Sequence, residues 1–197
     1  DSYLPEEFAF KILDIYRPWD LQNELYYAYK PDIIKQFKLE NLSQEKQEKI
    51  INIYVAIPSR DKELPPAHTT GGAIDLIITN LEDGKDLNLG IDFDAFSDLT
   101  NTTAYENDGA DENIKNNRRL LYNIMTRAGF TNLPSEIWHF DYGDKNWGYY
   151  EKKPAIYEGV FALNEIASTI SFEEFINDLE KNDTEISREL KKYQWNY

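Results

Sequence analysis

The sequence contains no cysteine. Disulfides, thiolate zinc fingers, iron–sulfur clusters and cysteine nucleophiles are therefore excluded, and any metal chemistry must be built from nitrogen and oxygen donors. Histidine is nearly as scarce. His68 and His139 are the only two, so chemistry that needs imidazole uses one or both. Positive charge is in deficit, with 21 Lys and Arg against 36 Asp and Glu and a formal net charge of −15. A chain this acidic is repelled by a phosphate backbone and by an anionic lipid surface, so neither nucleic acid nor membrane is expected as a partner. Nor is there a run of about 18 apolar residues, the length that a membrane-spanning helix requires.

What the 197 residues do contain is apolar material for one core, with 41% hydrophobic and 14% aromatic. One domain over 1–197 is expected. Residues 8–16, rich in β-branched and aromatic side chains and running into Arg17-Pro18, predict a strand. Leu21, Leu25 and Tyr29 repeat at helical spacing over 20–30, a pattern that Pro31 is expected to interrupt. Ser43 is placed to cap a short helix through about Ile51, and 53–57 reads as a strand or an extended segment. Three prolines and Gly71-Gly72 make 58–72 a loop. Residues 73–79 predict a strand, 81–86 a turn, 88–96 irregular structure and 101–109 a surface loop. The clearest helical face lies in 111–128, with Ile114, Leu121, Ile124, Met125 and Ala128 and with Gly129 as its stop. Residues 136–142 read as a strand, and Ser171 with Glu174 opens a helix in the tail. Strands and helices without a βαβ rhythm predict an α+β fold.

Both histidines stand near carboxylates. His68 is followed by Asp75 in HTTGGAID, and His139 closes EIWH, three residues after Glu136. Two imidazoles and a carboxylate are a common zinc ligand set, and three protein ligands leave a fourth position open, as in catalytic rather than structural sites. Zinc brings the pKa of a water towards neutrality, and a second carboxylate must then move the proton, for which Glu136 is the candidate. Residues three apart share a face on a helix but not on a regular strand. Either a backbone irregularity at 136–139 or a strand that starts after Glu136 is therefore expected. The paired glycines at 71–72 would let the backbone pass close to a metal or a substrate. Two other readings stand beside this one. A lone histidine is more often a hydrogen-bonded structural residue, and two His plus a carboxylate also form the facial triad of non-haem iron oxygenases, which usually places the first His and the acid two apart.

Taken together, these residues resemble a known family. HTTGGAID followed by EIWH is similar to the zinc peptidases that act on bacterial cell-wall peptides, with their H-x6-D and E-x-W-H pattern. Within that superfamily it most resembles the D-alanyl-D-alanine dipeptidases of the vancomycin-resistance type. DIYRP (14–18), LGIDFD (89–94) and NRRLLYNIMTRAGF (117–130) carry the closer match, in unbroken order over roughly residues 8–142. The resemblance implies a DD-peptidase/Hedgehog-like α+β fold with a central, mainly antiparallel sheet flanked by helices, and 117–130 as a helix packed behind the site. It implies one zinc ion held by His68, Asp75 and His139. Glu136 would be the general base and then the acid to the leaving amine. Arg17 would steady the oxyanion of the tetrahedral intermediate, a task that suits a permanently charged guanidinium, although a surface ion pair is the commoner fate of an arginine. Asp94 would lie near the substrate's free amino group, or else cap a helix before AFSDL. Trp138 reads as core or as a wall of the substrate pocket.

Several positions depart from the family pattern. Members commonly carry a serine two residues before the first zinc histidine, in contact with the substrate carboxylate. Pro66 stands there and offers neither a hydroxyl nor an N–H. Ile137 occupies a position that is often Trp. Fewer residues than usual precede the arginine motif, and a longer tail, 143–197, follows the last ligand; it is expected to pack on the domain as a C-terminal extension and to supply the missing wall. The expected reaction is hydrolysis of a small D-amino-acid peptide substrate, D-Ala-D-Ala above all. The alternatives are a carboxypeptidase or endopeptidase on peptidoglycan stem peptides and a non-catalytic, zinc-holding binding domain. A bacterial periplasmic or secreted setting is expected if a leader was removed before Asp1, and a cytoplasmic one otherwise.

Overall fold

A computed structural model describes residues 3–161 of the chain. Among them, β1 (Phe8–Asp14), β2 (Ala73–Asn80), β3 (Thr131–Asn132) and β4 (His139–Asp141) form one sheet of order β1-β2-β4-β3. Every pairing in it is antiparallel. The helices are α1 (Trp19–Gln36) and α2 (Gln44–Tyr54), both between β1 and β2, then α3 (Glu112–Arg127) before β3 and α4 (Lys145–Glu151) after β4. This is the α+β architecture expected from the sequence.

The strand period of two sorts the side chains into a core face and a site face. On β2, Leu76 and Ile78 join Leu121, Ile124 and Met125 of α3 and Phe140 of β4 in one apolar cluster. Asp75 falls between the core positions and is placed on the other face, as are His139 and Asp141 on either side of Phe140. Leu76, Ile78, Leu121 and Phe140 are at most 1% exposed, and burial stabilises by about 2 kcal/mol for each such side chain. A slip of one residue would reverse the faces and forfeit that burial, so the core holds the polar residues in register.

The helical half differs from expectation in three ways. First, α1 continues through Pro31. A proline inside a helix costs about 3 kcal/mol, but Ile33 beyond it is fully buried in a second cluster with Tyr26, Leu39, Ile51 and Val55, and about 2 kcal/mol per buried side chain outweighs the break. Second, the buried stripe of α1 is Gln22, Tyr26 and Ile33 rather than Leu21, Leu25 and Tyr29, and Leu21 is exposed. The helix is turned so that Gln22 can donate to Ala56 O at 2.7 Å. Third, residues 53–54 complete α2 instead of starting a strand. The Val55 N–H still donates to Ile51 O, and Tyr54 stacks on Phe37 with ring centroids 4.8 Å apart.

The remaining expectations concern ends and tail. Ser43 stands at the α2 N-cap without a side-chain bond, whereas Asp111 caps α3 by accepting from the N–H groups of Asn113 and Ile114. Beyond β4, α4 is tied to the body by Trp147 Nε1, which donates to Gly129 O at 3.0 Å, and the Val160 N–H donates to Thr69 O at 2.8 Å. The helix expected from Ser171 and Glu174 lies outside the described residues. No helix among the described residues is long and apolar enough to cross a membrane.

Candidate active site

The sheet register builds the site. Asp14 of β1 pairs with Asp75 of β2, and Asp75 pairs with His139 of β4. Directly opposed residues on antiparallel strands share a face, so these three form a row across the sheet. An irregularity between Ile12 and Asp14 shifts the β1 register as it reaches that row. His68 arrives from a 3-10 turn over Ala67–Thr70 within the 58–72 loop. The chain just after β1 clamps it twice: His68 Nδ1 donates to Ile15 O at 2.7 Å, and the Arg17 N–H donates to His68 O at 3.1 Å. Gly71 ends the turn at φ +72°, where a side chain would be strained. Gly72 makes a close approach, but to Tyr142 just after β4 and not to the two histidines. The Tyr142 N–H donates to Gly72 O at 2.7 Å, and a Cβ on Gly72 would lie 2.8 Å from Tyr142 O.

The outer hydrogen bonds fix both imidazole tautomers. A carbonyl can only accept, so His68 Nδ1 carries the proton and Nε2 is left with a lone pair. On the other ring, His139 Nε2 faces Asp141 Oδ1 at 2.9 Å and donates to it, so Nδ1 holds the lone pair whenever the ring is neutral. Those two free nitrogens lie 3.2 Å apart. Asp75 joins them, with Oδ2 3.2 Å from His68 Nε2 and Oδ1 2.9 Å from His139 Nδ1. Among the described residues, the buried Asp75 Oδ1 atom has no hydrogen bond despite that short distance. Three potential electron-pair donors thus converge among buried side chains, within 4.8 Å of one another. Such an arrangement is repulsive unless a cation or an extra proton sits among them, and the donor set fits a metal ion. Without an ion the protein compensates by protonation. Burial acts to lower the His139 pKa, yet Asp141 and Asp75 overcome it and hold the ring well above the usual imidazole range. Burial likewise acts to raise Asp75, but the two rings outweigh it and hold this carboxyl far below the ordinary range.

Glu136 lies just before β4, not on it. A turn brings it round: the Glu136 N–H donates to Leu133 O, and the His139 N–H donates back to Glu136 O at 3.2 Å. Asn132 Nδ2 locks the turn by donating to the carbonyls of both Glu136 and His139, at 3.1 and 2.9 Å. The Glu136 carboxylate reaches within 3.9 Å of His139 Nδ1 and keeps 22% of its side chain exposed. Burial pushes its pKa up to about 7; the histidines oppose the rise and the Asp75 charge adds to it.

Arg17 is braced on two sides. Its Nε and Nη2 both reach Asp14 Oδ2, at 2.8 and 2.6 Å, and Nη1 donates to Gln22 Oε1 at 2.8 Å. Asp94 adopts φ +59° and accepts from the Tyr29 hydroxyl at 3.4 Å. It caps no helix. Ser97 caps the short turn that follows, accepting from the Leu99 N–H. Solvent reaches the Asp94 side chain, but the surrounding protein and the Asp75 charge raise its pKa, while Arg17 acts to lower it. Trp138 is 3% exposed and packs edge-on against Phe93, with ring centroids 5.3 Å apart.

The sequence reasoning passed over Asp141. Its signal was present, because a residue two positions after a ligand on a strand shares its face. Asp141 is fully buried, and the Asp144 carboxylate beside it, which caps α4 through the Trp147 N–H, is pushed up to about 7 by burial and by the Asp141 charge. A carboxylate that holds the far nitrogen of a metal-binding histidine orients the ring and raises its basicity. Asp141→Ala is therefore expected to weaken metal affinity about 10–100-fold, read by competition with a chromophoric chelator. Unchanged affinity would remove Asp141 from the site.

A family model, Peptidase_M15, described as D-ala-D-ala dipeptidase, matches residues 7–157. Among curated proteins, the chain is 30% identical over 165 residues to a D-alanyl-D-alanine dipeptidase of Synechocystis sp., covering 70% of this chain and 65% of that protein. It is 29% identical over 140 residues to the D-alanyl-D-alanine dipeptidase of Enterococcus faecalis, covering 71% and 58%. It is also 29% identical over 136 residues to that of Enterococcus faecium, covering 68% and 61%. The matched region spans less than two thirds of the length of each of these relatives.

Proposed function

The chain belongs to the D-Ala-D-Ala dipeptidase family of metallopeptidases, and on that premise we propose that it hydrolyses a D-amino-acid dipeptide, D-Ala-D-Ala above all, with one zinc ion held by His68, Asp75 and His139. The observation that carries this reading is the convergence of three inward-facing donor atoms beside a carboxylate with a pKa near 7. Two imidazoles and one carboxylate suit zinc, and three protein ligands leave a position open. When bound, the ion supplies Lewis acidity and makes a water molecule acidic enough to attack at neutral pH.

The chain's own groups do the rest. Glu136 takes the proton from the attacking water and delivers it to the leaving amine; a carboxyl poised near the working pH is suited to both halves of that cycle. The Arg17 guanidinium, preorganised by Asp14 and Gln22, donates to the oxygen on which negative charge grows. A donor already held in place needs no reorganisation at the moment of reaction. Asp94 receives the ammonium of the free dipeptide. Pro66 has no hydrogen to donate to the substrate carboxylate, and this favours, as a second reading, a peptidase acting on longer stem peptides.

Amine release from D-Ala-D-Ala, L-Ala-D-Glu and a stem pentapeptide, measured on zinc-stripped and zinc-restored protein, decides between them. Zinc-restored turnover of D-Ala-D-Ala is expected. Preference for the pentapeptide would select the second reading, and turnover of none would overturn the peptidase assignment for these substrates.

A further inference from the structure

Among the described residues, Arg118 is a buried cation without a carboxylate partner. Its residue is 2% exposed, and burial lowers the pKa of its guanidinium. Every hydrogen bond found for it runs to a backbone carbonyl. Nε donates to Leu89 O at 2.7 Å, Nη2 to Leu99 O at 2.6 Å, and Nη1 to Asn101 O at 2.7 Å and to Thr102 O at 3.4 Å. Its plane lies over the Tyr105 ring, 4.7 Å from the centroid, and the Tyr105 hydroxyl donates to Gly90 O at 2.8 Å. The carbonyls so gathered belong to the two ends of a single loop, 89–102. At its middle that loop carries Phe93 and Asp94, the latter in a left-handed conformation.

The closing end of the same loop is stitched to the turn that carries Glu136. The Ile137 N–H donates to Thr100 O and the Thr102 N–H donates to Pro134 O, both at 3.0 Å. The Thr102 hydroxyl donates to Asn132 Oδ1, and Asn132 Nδ2 holds the carbonyls of Glu136 and His139. One guanidinium therefore sits at the root of two chains of contact, one leading to Asp94 and one to Glu136. A planar fork with donors in fixed directions can tie four carbonyls together, which a lysine ammonium on a flexible stem cannot reproduce.

We propose that Arg118 is a positioning residue that pins the 89–102 loop and, through residues 100 and 102, the Glu136 turn, so that the substrate-ammonium site and the proton carrier keep one fixed spacing. This rests on the hydrolase reading for its effect on catalysis, but not for its effect on the backbone.

The test is Arg118→Lys, with Arg118→Met as the companion, read by amide hydrogen exchange and by kinetics on the zinc-loaded protein. In Arg118→Lys the Ile137 and Thr102 amides are expected to exchange at least tenfold faster than in wild type, while β2 amides keep their protection and zinc remains stoichiometric. With D-Ala-D-Ala, both kcat and KM are expected to worsen, because both anchored elements shift, and added guanidinium is expected to restore part of the loss in Arg118→Met. Unchanged exchange at those two amides would overturn the proposal. So would faster exchange everywhere, β2 included, which would make Arg118 a support of global stability only. If wild type hydrolyses no dipeptide, the function reading fails while the exchange measurement still decides on Arg118.

Discussion

Glu136→Gln is expected to abolish most hydrolysis, lowering kcat by about 10³-fold, while leaving zinc bound at one per chain. The size follows from what general acid–base catalysis contributes, about 10²–10⁴-fold, and from the absence of a substitute. Both histidines of the chain turn their inner ring nitrogens toward Asp75 and each other, so no imidazole is left to carry the proton. The glutamine is nearly isosteric and its amide can neither accept nor release that proton. Metal should persist because Glu136 is not one of the three clustered donors. Full activity in Glu136→Gln would assign proton transfer to another group. The pH dependence carries the matching sign. A base must be ionised to act, so kcat/KM rises as pH climbs through the Glu136 pKa. In the metal-free protein that midpoint is about 7. A bound dication beside the carboxylate favours its charged form, which places the acid limb of the zinc-loaded enzyme below pH 7. Observing the carboxyl by carbon NMR with and without zinc would display the downward move directly, and an upward move would contradict it.

The parts of the site that were legible in the sequence are those whose chemistry is local. His68, Asp75 and His139 sit in short motifs that resemble a known ligand pattern, and Asp75 falls within the strand that 73–79 predicts. The turn at Glu136 was legible as a conflict, because a three-residue separation cannot be satisfied on a strand and the backbone had to depart from one. What was hidden depends on partners distant in sequence. Gln22 braces Arg17 from within α1 while donating to Ala56 O, and nothing near Gln22 announces either contact. That pair of bonds also explains why the α1 stripe was misjudged by one residue, since apolar periodicity does not register a buried amide. Arg118 is the extreme case. An arginine on a helix is usually a solvated charge, and only the return of the 89–102 loop supplies the carbonyls that make its burial tolerable. Pro31 shows the same limit from the apolar side, because the Ile33 environment that carries α1 past it is assembled from Leu39, Ile51 and Val55.

His139→Ala is expected to eliminate tight zinc binding and, with it, detectable turnover. The effect should exceed the about 10–100-fold loss expected on removing the carboxylate behind the ring, because it deletes a donor atom and frees Asp75 from its cross-strand partner. Stability provides a readout independent of activity. Zinc at about 100 times its Kd stabilises the native state by about 2.7 kcal/mol, which raises Tm by roughly 5–10 °C for a chain of this size. Wild type should show that rise and His139→Ala should not. Proton linkage sharpens the contrast. In the metal-free protein the His139 pKa lies well above the ordinary 6.5, so its stabilising contribution is complete below pH 6.5 and is lost as pH rises through the folded value. Asp75 behaves in the opposite sense: its folded pKa is depressed, so its contribution is present above 3.8 and is lost as pH falls. At neutral pH the metal-free cluster therefore holds a proton that the metal must displace. Calorimetric titration of wild type with zinc in buffers of different ionisation enthalpy should report the release of about one proton per ion bound. Stoichiometric, high-affinity zinc in His139→Ala, or binding to wild type with no proton released, would refute the ligand set.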